Sequence, residues 1–529
     1  MLWYKIWPSP SFAPNSLLPN AASAPALPKL PQASGSFAAL FPNVPASVAN
    51  PTAVAPTAPC TNRCTWCRVM PASCASFAFP RHGGSECAKP LVITRRCNAS
   101  LMKCPNGNGN VSRKGSPNIL RRLIAYSEKV FRFSAGLMAS ITDRRPEPRI
   151  STATVAKASM VLFWARMGSL NALEMSGASR FWKRWLDRPM PSAETMGDVH
   201  SKMDAGTLRE AIHQVYGCLK RNKALPDHHG ISVAIVDGHE SHASYLRHCS
   251  GCLERTIHSE PGDRIQYYHR QVTLRLVTGA PPGRPPLRMP LDHEPQRPGE
   301  DEVATAMRLL ERVLVRYPRA FDLVLADALY ARADFFNILL DHRKHALVVL
   351  KDERRNLYQD AAGLFDSVAP VKGTFRSRDC LWWDLGDLVS WPEVKAPVRV
   401  IRSLETYSVR RQLDKTDEPQ TSDWVWATTL PSAQVSVERA VGFGHQRWDI
   451  ENHGFNELVE GWHADHVLKH DTAAIECFLL MTFLAFILFH AFLYLNVKPS
   501  LRQGKSKDFW ARVMAAEIYQ DFIRSGLSP

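Results

Sequence analysis

Two aspartates close apolar runs in this chain, Asp237 at the end of ISVAIVD and Asp327 at the end of DLVLAD. A third acid, Glu451, follows Arg447 by four residues in HQRWDIENHGFNEL. Carboxylates are hard oxygen ligands that suit Mg2+, and a pair of such ions held by acids is a common way to break a phosphodiester. Taken singly, an acid at a strand end more often caps a turn or helix, and an Arg–Glu pair at this spacing is more often a surface ion pair. The combination is more specific. If the two strands are sheet neighbours, Asp237 and Asp327 share one edge, while Arg447, Glu451 and Phe455 are expected on one helix face. Glu451 then completes a metal site, and Arg447 is placed to grip a phosphate.

These residues need elements to position them. From Ile119 to about Leu225 apolar residues recur three and four apart, as in ILRRLIAYSEKVFRF and TLREAIHQVYGCLKR, which predicts a helical domain over 118–228. The first part of a catalytic core is expected over 229–351. It comprises the buried strand ISVAIVD, one or two strands in IQYYHRQVTLRLV, a proline-rich loop from 281 to 300, then alternating helices and strands through KHALVVLK. Residues 352–440 lose the helical period and carry Trp382, Trp383, Trp391, Trp424 and Trp426 among runs such as VRVIRSL and DWVWATTL. A β-rich insertion is expected there. The core resumes over 441–500 with the segment that carries Glu451, and 501–529 form a helical tail. The fold class is therefore α/β, a mixed sheet flanked by helices.

The motifs carry a family resemblance over about residues 120–500. IVDGHE, LADALY and RWDIENHGFNEL resemble, in order, the segments of the three catalytic acids in DDE transposases of the insertion-sequence-four family. RHCSGCLER, YYHRQV and PGEDEV resemble stretches found between the first two acids. The resemblance implies a ribonuclease H-like core interrupted by a β-rich insertion. It also implies catalysis by Asp237, Asp327 and Glu451 with two Mg2+ ions, for which Mn2+ can substitute. The implied partners are DNA, both the terminal inverted repeats and the target, and a second copy of the chain in a DNA-bound dimer. The family's Y-x2-R-x3-E-x6-K signature is met at Arg447 and Glu451, but Gly444 stands at the Tyr position and Leu458 at the Lys position. His445 and Lys469 are the nearby residues able to stand in for them. A rival reading is a catalytically decayed, transposase-derived DNA-binding protein.

Other features have plainer readings beside them. Cys249 and Cys252, with His248 before and His258 after, have zinc-knuckle spacing. Two thiols on a β-turn are the preferred reading, and zinc at Cys249/Cys252 is the alternative. Trp424 and Trp426 are candidates to stack on unpaired bases of DNA and are expected on opposite faces of a strand, although core packing is the commoner use of such residues. The apolar stretch from Ala473 to Leu495 is long enough for a membrane span, but Glu476 and His490 favour a buried core helix and no membrane. His239, beside Asp237, is expected to be structural.

The net charge of +15 is unevenly spread, since residues 1–117 contain 11 Lys/Arg and only Glu86 as an acid. Charge alone is therefore a weak argument for nucleic-acid binding. Residues 1–59 hold 12 prolines, and seven of the 12 cysteines fall between Cys60 and Cys104, with Cys60, Cys64 and Cys67 closely spaced. That composition is expected to be disordered, or to come from a start assigned upstream of Met102 or Met138. An odd cysteine cluster argues against a disulfide framework and no secretory signal is evident, so a reducing cytoplasm is expected, and the family resemblance implies association with the bacterial nucleoid when bound to DNA.

Overall fold

The structure, a computed structural model, describes residues 118–525 apart from 187, 261, 354 and 412–415. The readings made for the 1–117 segment, including Cys60, Cys64 and Cys67, lie outside the described residues.

Among the described residues six α-helices come first: α1 (Ile119–Phe131), α2 (Thr152–Trp164), α3 (Leu170–Met175), α4 (Arg180–Leu186), α5 (Ala193–His200) and α6 (Ala205–Arg221). Side chains of Asn118, Ser151 and Asp204 cap the starts of α1, α2 and α6, satisfying N–H groups that a helix leaves unpaired. The sheet begins with β1 (Val233–Ser244), β2 (Leu253–Ile257), β3 (Arg264–Val277) and β4 (Arg288–Pro295). Next come α7 (Glu302–Arg316), β5 (Leu323–Ala326), α8 (Ala333–Asp341) and β6 (His345–Val349). Strand β1 pairs antiparallel with β3 and parallel with β5; β3 pairs antiparallel with β4, and β5 parallel with β6. The resulting order β4-β3-β1-β5-β6, with three meandering strands followed by two helix-connected parallel ones, is the ribonuclease H-like arrangement.

Strand β4 lies inside the stretch expected to be a loop. Its prolines suggest a loop in the sequence, yet Pro290 and Pro295 are tolerable here: β4 pairs only with β3, and that ladder shifts register beside Pro290. IQYYHRQVTLRLV is one continuous strand, β3.

After β6 come α9 (Asn356–Phe365), β7 (Val371–Phe375), β8 (Arg378–Leu388), β9 (Val398–Arg410) and β10 (Asp417–Thr428). The four strands run on from the core sheet, because β10 pairs antiparallel with β6, giving one sheet ordered β2-β3-β1-β5-β6-β10-β9-β8-β7. The remaining helices are α10 (Val437–Gln446), α11 (Thr472–Ala491), α12 (Pro499–Arg502) and α13 (Lys507–Ser525).

The first residues of β1 are buried on both faces, as expected of a sheet covered by helices. Ala234 and Val236 face a large core shared with α2, α6, α7, α8 and α11, while Val233 and Ile235 face a smaller one shared with α10, Ile450 and Phe455. Helix α11 is the apolar segment long enough to cross a membrane, and 83% of its most apolar window is buried. It packs on α2, α5, α6 and β4, and the Trp164 indole donates to its Ala485 carbonyl at 3.1 Å.

Candidate active site

Strand parity aims the acids. Along β1 the odd-numbered side chains face α10, so Asp237 faces it too; along β5, Leu323 and Leu325 do the same, which sends Asp327 the same way. The parallel register matches Ile235 with Leu325, so Asp237 falls opposite Asp327 at the carboxyl ends of adjacent strands. Asp327 also caps the short turn that follows it, accepting from the Leu329 N–H at 2.8 Å.

The segment carrying Glu451 departs from a regular α-helix. Helix α10 ends at Gln446, Arg447 and Trp448 form a turn, and the chain then winds as π-helix over Glu451–Phe455 and Glu457–Gly461. Such winding is often found at functional sites. The winding is not the regular α-helix expected, yet the three side chains keep one side: Arg447 and Glu451 meet at 3.0 Å, and Phe455 stacks on His239 of the same β1 face as Asp237, with ring centroids 4.5 Å apart. Asp449 anchors the segment by a bidentate ion pair with Arg288 of β4, at 2.6 and 2.8 Å. His239 thus has a packing role, and burial lowers its pKa.

Arg447 joins the pieces, its Nη1 lying 3.4 Å from Asp237 Oδ2 and 3.0 Å from Glu451 Oε1. Burial raises the Asp237 pKa to about 7; Arg447 opposes that rise, while the charges of Asp327, Glu302 and Glu451 add to it. Asp237 is buried, Asp327 half-buried and the Glu451 side chain 38% exposed, so the group opens to solvent on the Glu451 side. Asp237, Asp327 and Glu451 set three carboxylates against one guanidinium, an excess of negative charge to which Glu302 adds from across the strand. That donor set, oxygen-rich and open on one side, fits a hard divalent cation.

Glu302, the first residue of α7, is a fourth acid, absent from the set expected from the sequence. Its Oε1 accepts from the Tyr330 hydroxyl at 2.8 Å, and its other oxygen pairs with Arg270 of β3. A β-carbon on Gly238 would run into this carboxylate, so glycine after Asp237 leaves the room that the Glu302 side chain occupies. The available signal was the set of flanking motifs, since YYHRQV supplies Arg270, PGEDEV supplies Glu302 and LADALY supplies Tyr330.

The two positions that depart from the signature are both occupied by packing. A β-carbon on Gly444 would lie 2.7 Å from Trp426 Nε1 and closer still to its ring, so the indole fills the space beside that position. Leu458, in the second π-wound stretch, is buried in the larger core. Both nearby residues are engaged elsewhere in the free protein: His445 bonds to Glu405 at 2.5 Å and stacks on Phe375, and Lys469 pairs with Asp198 at 2.7 Å.

Trp424 and Trp426 need correction as well. Residues two apart on β10 share a face, and their rings stack at 5.9 Å with planes 10° apart. Trp426 is 1% exposed and belongs to the core, so it offers no surface to a base, and Trp424 is half-buried beside it. The zinc-knuckle histidines are also reassigned: His248 stacks on Tyr267, and His258 is exposed and pairs with Asp263.

Comparison with known proteins bears on this geometry. Residues 228–488 match the Transposase DDE domain family. The matched span contains all three acids, the Arg270–Glu302–Tyr330 group and strands β7–β10. No curated protein matches the sequence. A chain of the piggyBac transposase synaptic complex with hairpin DNA, solved by cryo-EM, aligns over 79% of this chain and 83% of its own, at 11% identity and a TM-score of 0.38.

Proposed function

We propose that this chain is a DNA transposase, of insertion-sequence-four type, that cuts element ends and joins them to target DNA. Asp237, Asp327 and Glu451 are its catalytic acids. The observation that carries the proposal is the meeting of two strand-end aspartates with Arg447 and Glu451 inside a segment that matches the DDE domain family. Two divalent ions, Mg2+ or Mn2+, would be held by the three acids and would supply activation of the attacking oxygen and stabilisation of the leaving one. The chain's own residues do the rest. Arg447 holds Asp237 and Glu451 in place in the free protein and is positioned to turn toward a phosphate. Glu302, already bonded to Tyr330 and Arg270, props the backbone at Gly238 from the opposite face. The ends of two elements are brought together by a homodimer on DNA.

The test uses the purified chain and plasmid DNA carrying the element's own terminal repeats. Nicking at the repeat ends with Mg2+ and Mn2+, and none with Ca2+, is expected, because the larger ion does not enforce octahedral geometry. Binding without nicking under every metal condition would favour the decayed, DNA-binding reading.

A further inference from the structure

A second cluster lies away from the acids, on the far half of the β1–β3 ladder. Cys249, Cys252, His269 and His470 bring their ligand atoms within 4.8 Å of one another. The fold builds it from three places. Cys249 and Cys252 close a tight turn, with the Cys252 N–H donating to the Cys249 carbonyl at 3.1 Å. Strand β2 begins at Leu253 opposite Tyr268, so the register continued by one residue sets Cys252 beside His269 of β3. His470 arrives from the loop before α11, 218 residues beyond Cys252. The turn docks closely there, since a β-carbon on Gly251 would lie 2.7 Å from the Thr472 hydroxyl.

Four of the six ligand-to-ligand distances can be set against those of a coordination shell, the other two lying within 4.8 Å. A tetrahedral zinc with bonds of about 2.3 Å to sulfur and about 2.05 Å to nitrogen requires S···S edges near ~3.8 Å and S···N edges near ~3.6 Å. The Cys249–Cys252 sulfurs are 3.8 Å apart, and His269 Nε2 is 3.4 Å from one and 3.3 Å from the other. His470 Nε2 is 3.4 Å from the Cys252 sulfur. Both thiols are free, and a sulfur separation of 3.8 Å is far beyond a disulfide bond of about 2.0 Å.

We infer that Cys249, Cys252, His269 and His470 form a structural zinc site that ties the β1–β3 hairpin to the start of α11. Two thiolates and two imidazoles complete a tetrahedron, leaving no open position for substrate. The site differs in chemistry from the carboxylate group, whose oxygen ligands suit harder ions. It is also separate in space: His242 pairs with His269 and Asp237 with Thr273, so about four residues, or ~13 Å of strand, lie between the sites. The inference does not depend on the transposase reading. What it adds is a cross-link between the long hairpin and the segment that follows Glu451.

The experiment measures zinc in the full chain by plasma mass spectrometry after washing with a weak chelator. Cys252→Ser is expected to lower the content by about one zinc per chain, because one closed site is lost, and Asp237→Ala to leave it unchanged. Taking the difference cancels any zinc held by the cysteines between 60 and 104. A second variant guards against failure to fold: His470→Cys keeps four ligands, so Co2+-exchanged protein should retain its tetrahedral visible bands while its thiolate-to-cobalt absorption rises by about half over wild type. Zinc content unchanged by Cys252→Ser, or cobalt absorption unchanged by His470→Cys, overturns the site.

Discussion

Asp237 gives the metal-free site a pH signature. In the unfolded chain its carboxyl ionises from about pH 4 upward, whereas in the fold burial, aided by Asp327, Glu302 and Glu451, holds the proton up to about 7. Between those values the unfolded state has released a proton that the folded state keeps, so this group makes stability fall as pH rises from about 4 to 7, with a plateau above. The full effect is at most about 4 kcal/mol, since each tenfold change in proton affinity is worth about 1.4 kcal/mol. Asp237→Asn should therefore raise the metal-free melting temperature at pH 8 and change it little at pH 4, while added Mg2+ should stabilise wild type at pH 8 more than the variant. Equal melting curves for the two proteins at pH 8 would show that the carboxylate carries no such penalty. Both strand-end aspartates were legible in the sequence because an acid ending an apolar run is a local pattern. Glu302 was not, because an acid at a helix start normally reads as a favourable charge on the helix dipole.

Among the elements, α10 and β10 depend on one another through Gly444 and Trp426. Gly444→Ala pushes a methyl into the indole, and overpacking of this kind costs about 1–3 kcal/mol. Urea denaturation should show that loss, and Trp426→Leu combined with Gly444→Ala should cost less than the sum of the single changes, because the two positions share one space. Simple additivity would mean that the contact is relieved elsewhere. The same pair explains why the sequence hid this region. Gly444 looked like a lost Tyr, whereas it is the position that lets the tryptophan in. The four-residue spacing predicted a shared face for Arg447, Glu451 and Phe455, which the contacts keep, but spacing alone does not reveal the π-winding. Strand β4 was masked by its prolines, and two of the four cluster ligands, His269 and His470, were invisible because register and tertiary packing, not sequence proximity, bring them to Cys249 and Cys252.

At the scale of the molecule, the described fold closes on itself at its two ends. The Glu517 carboxylate of α13 accepts from the backbone N–H groups of Ile119 and Leu120 at 2.6 and 2.9 Å, so α1 is capped from within residues 118–525. A chain shortened to begin at Gly115 should therefore fold with an unchanged melting temperature, and Glu517→Ala should lower it by an amount equivalent to about 1 kcal/mol, as loss of a helix cap does. Aggregation of the shortened chain under conditions where the full chain stays soluble would contradict this. DNA affinity should fall steeply with salt, since phosphate contacts release counterions, and Arg447→Ala should weaken binding to the element ends. The central claim is that Asp237, Asp327 and Glu451 act together on DNA, and the most direct measurement compares wild type with Asp237→Ala, Asp327→Ala and Glu451→Ala in Mg2+-dependent nicking of element-end DNA. Wild type should nick, and each variant should lose nicking while still binding DNA, because general attraction to phosphate comes from basic residues. Nicking that persists in all three variants would contradict the account.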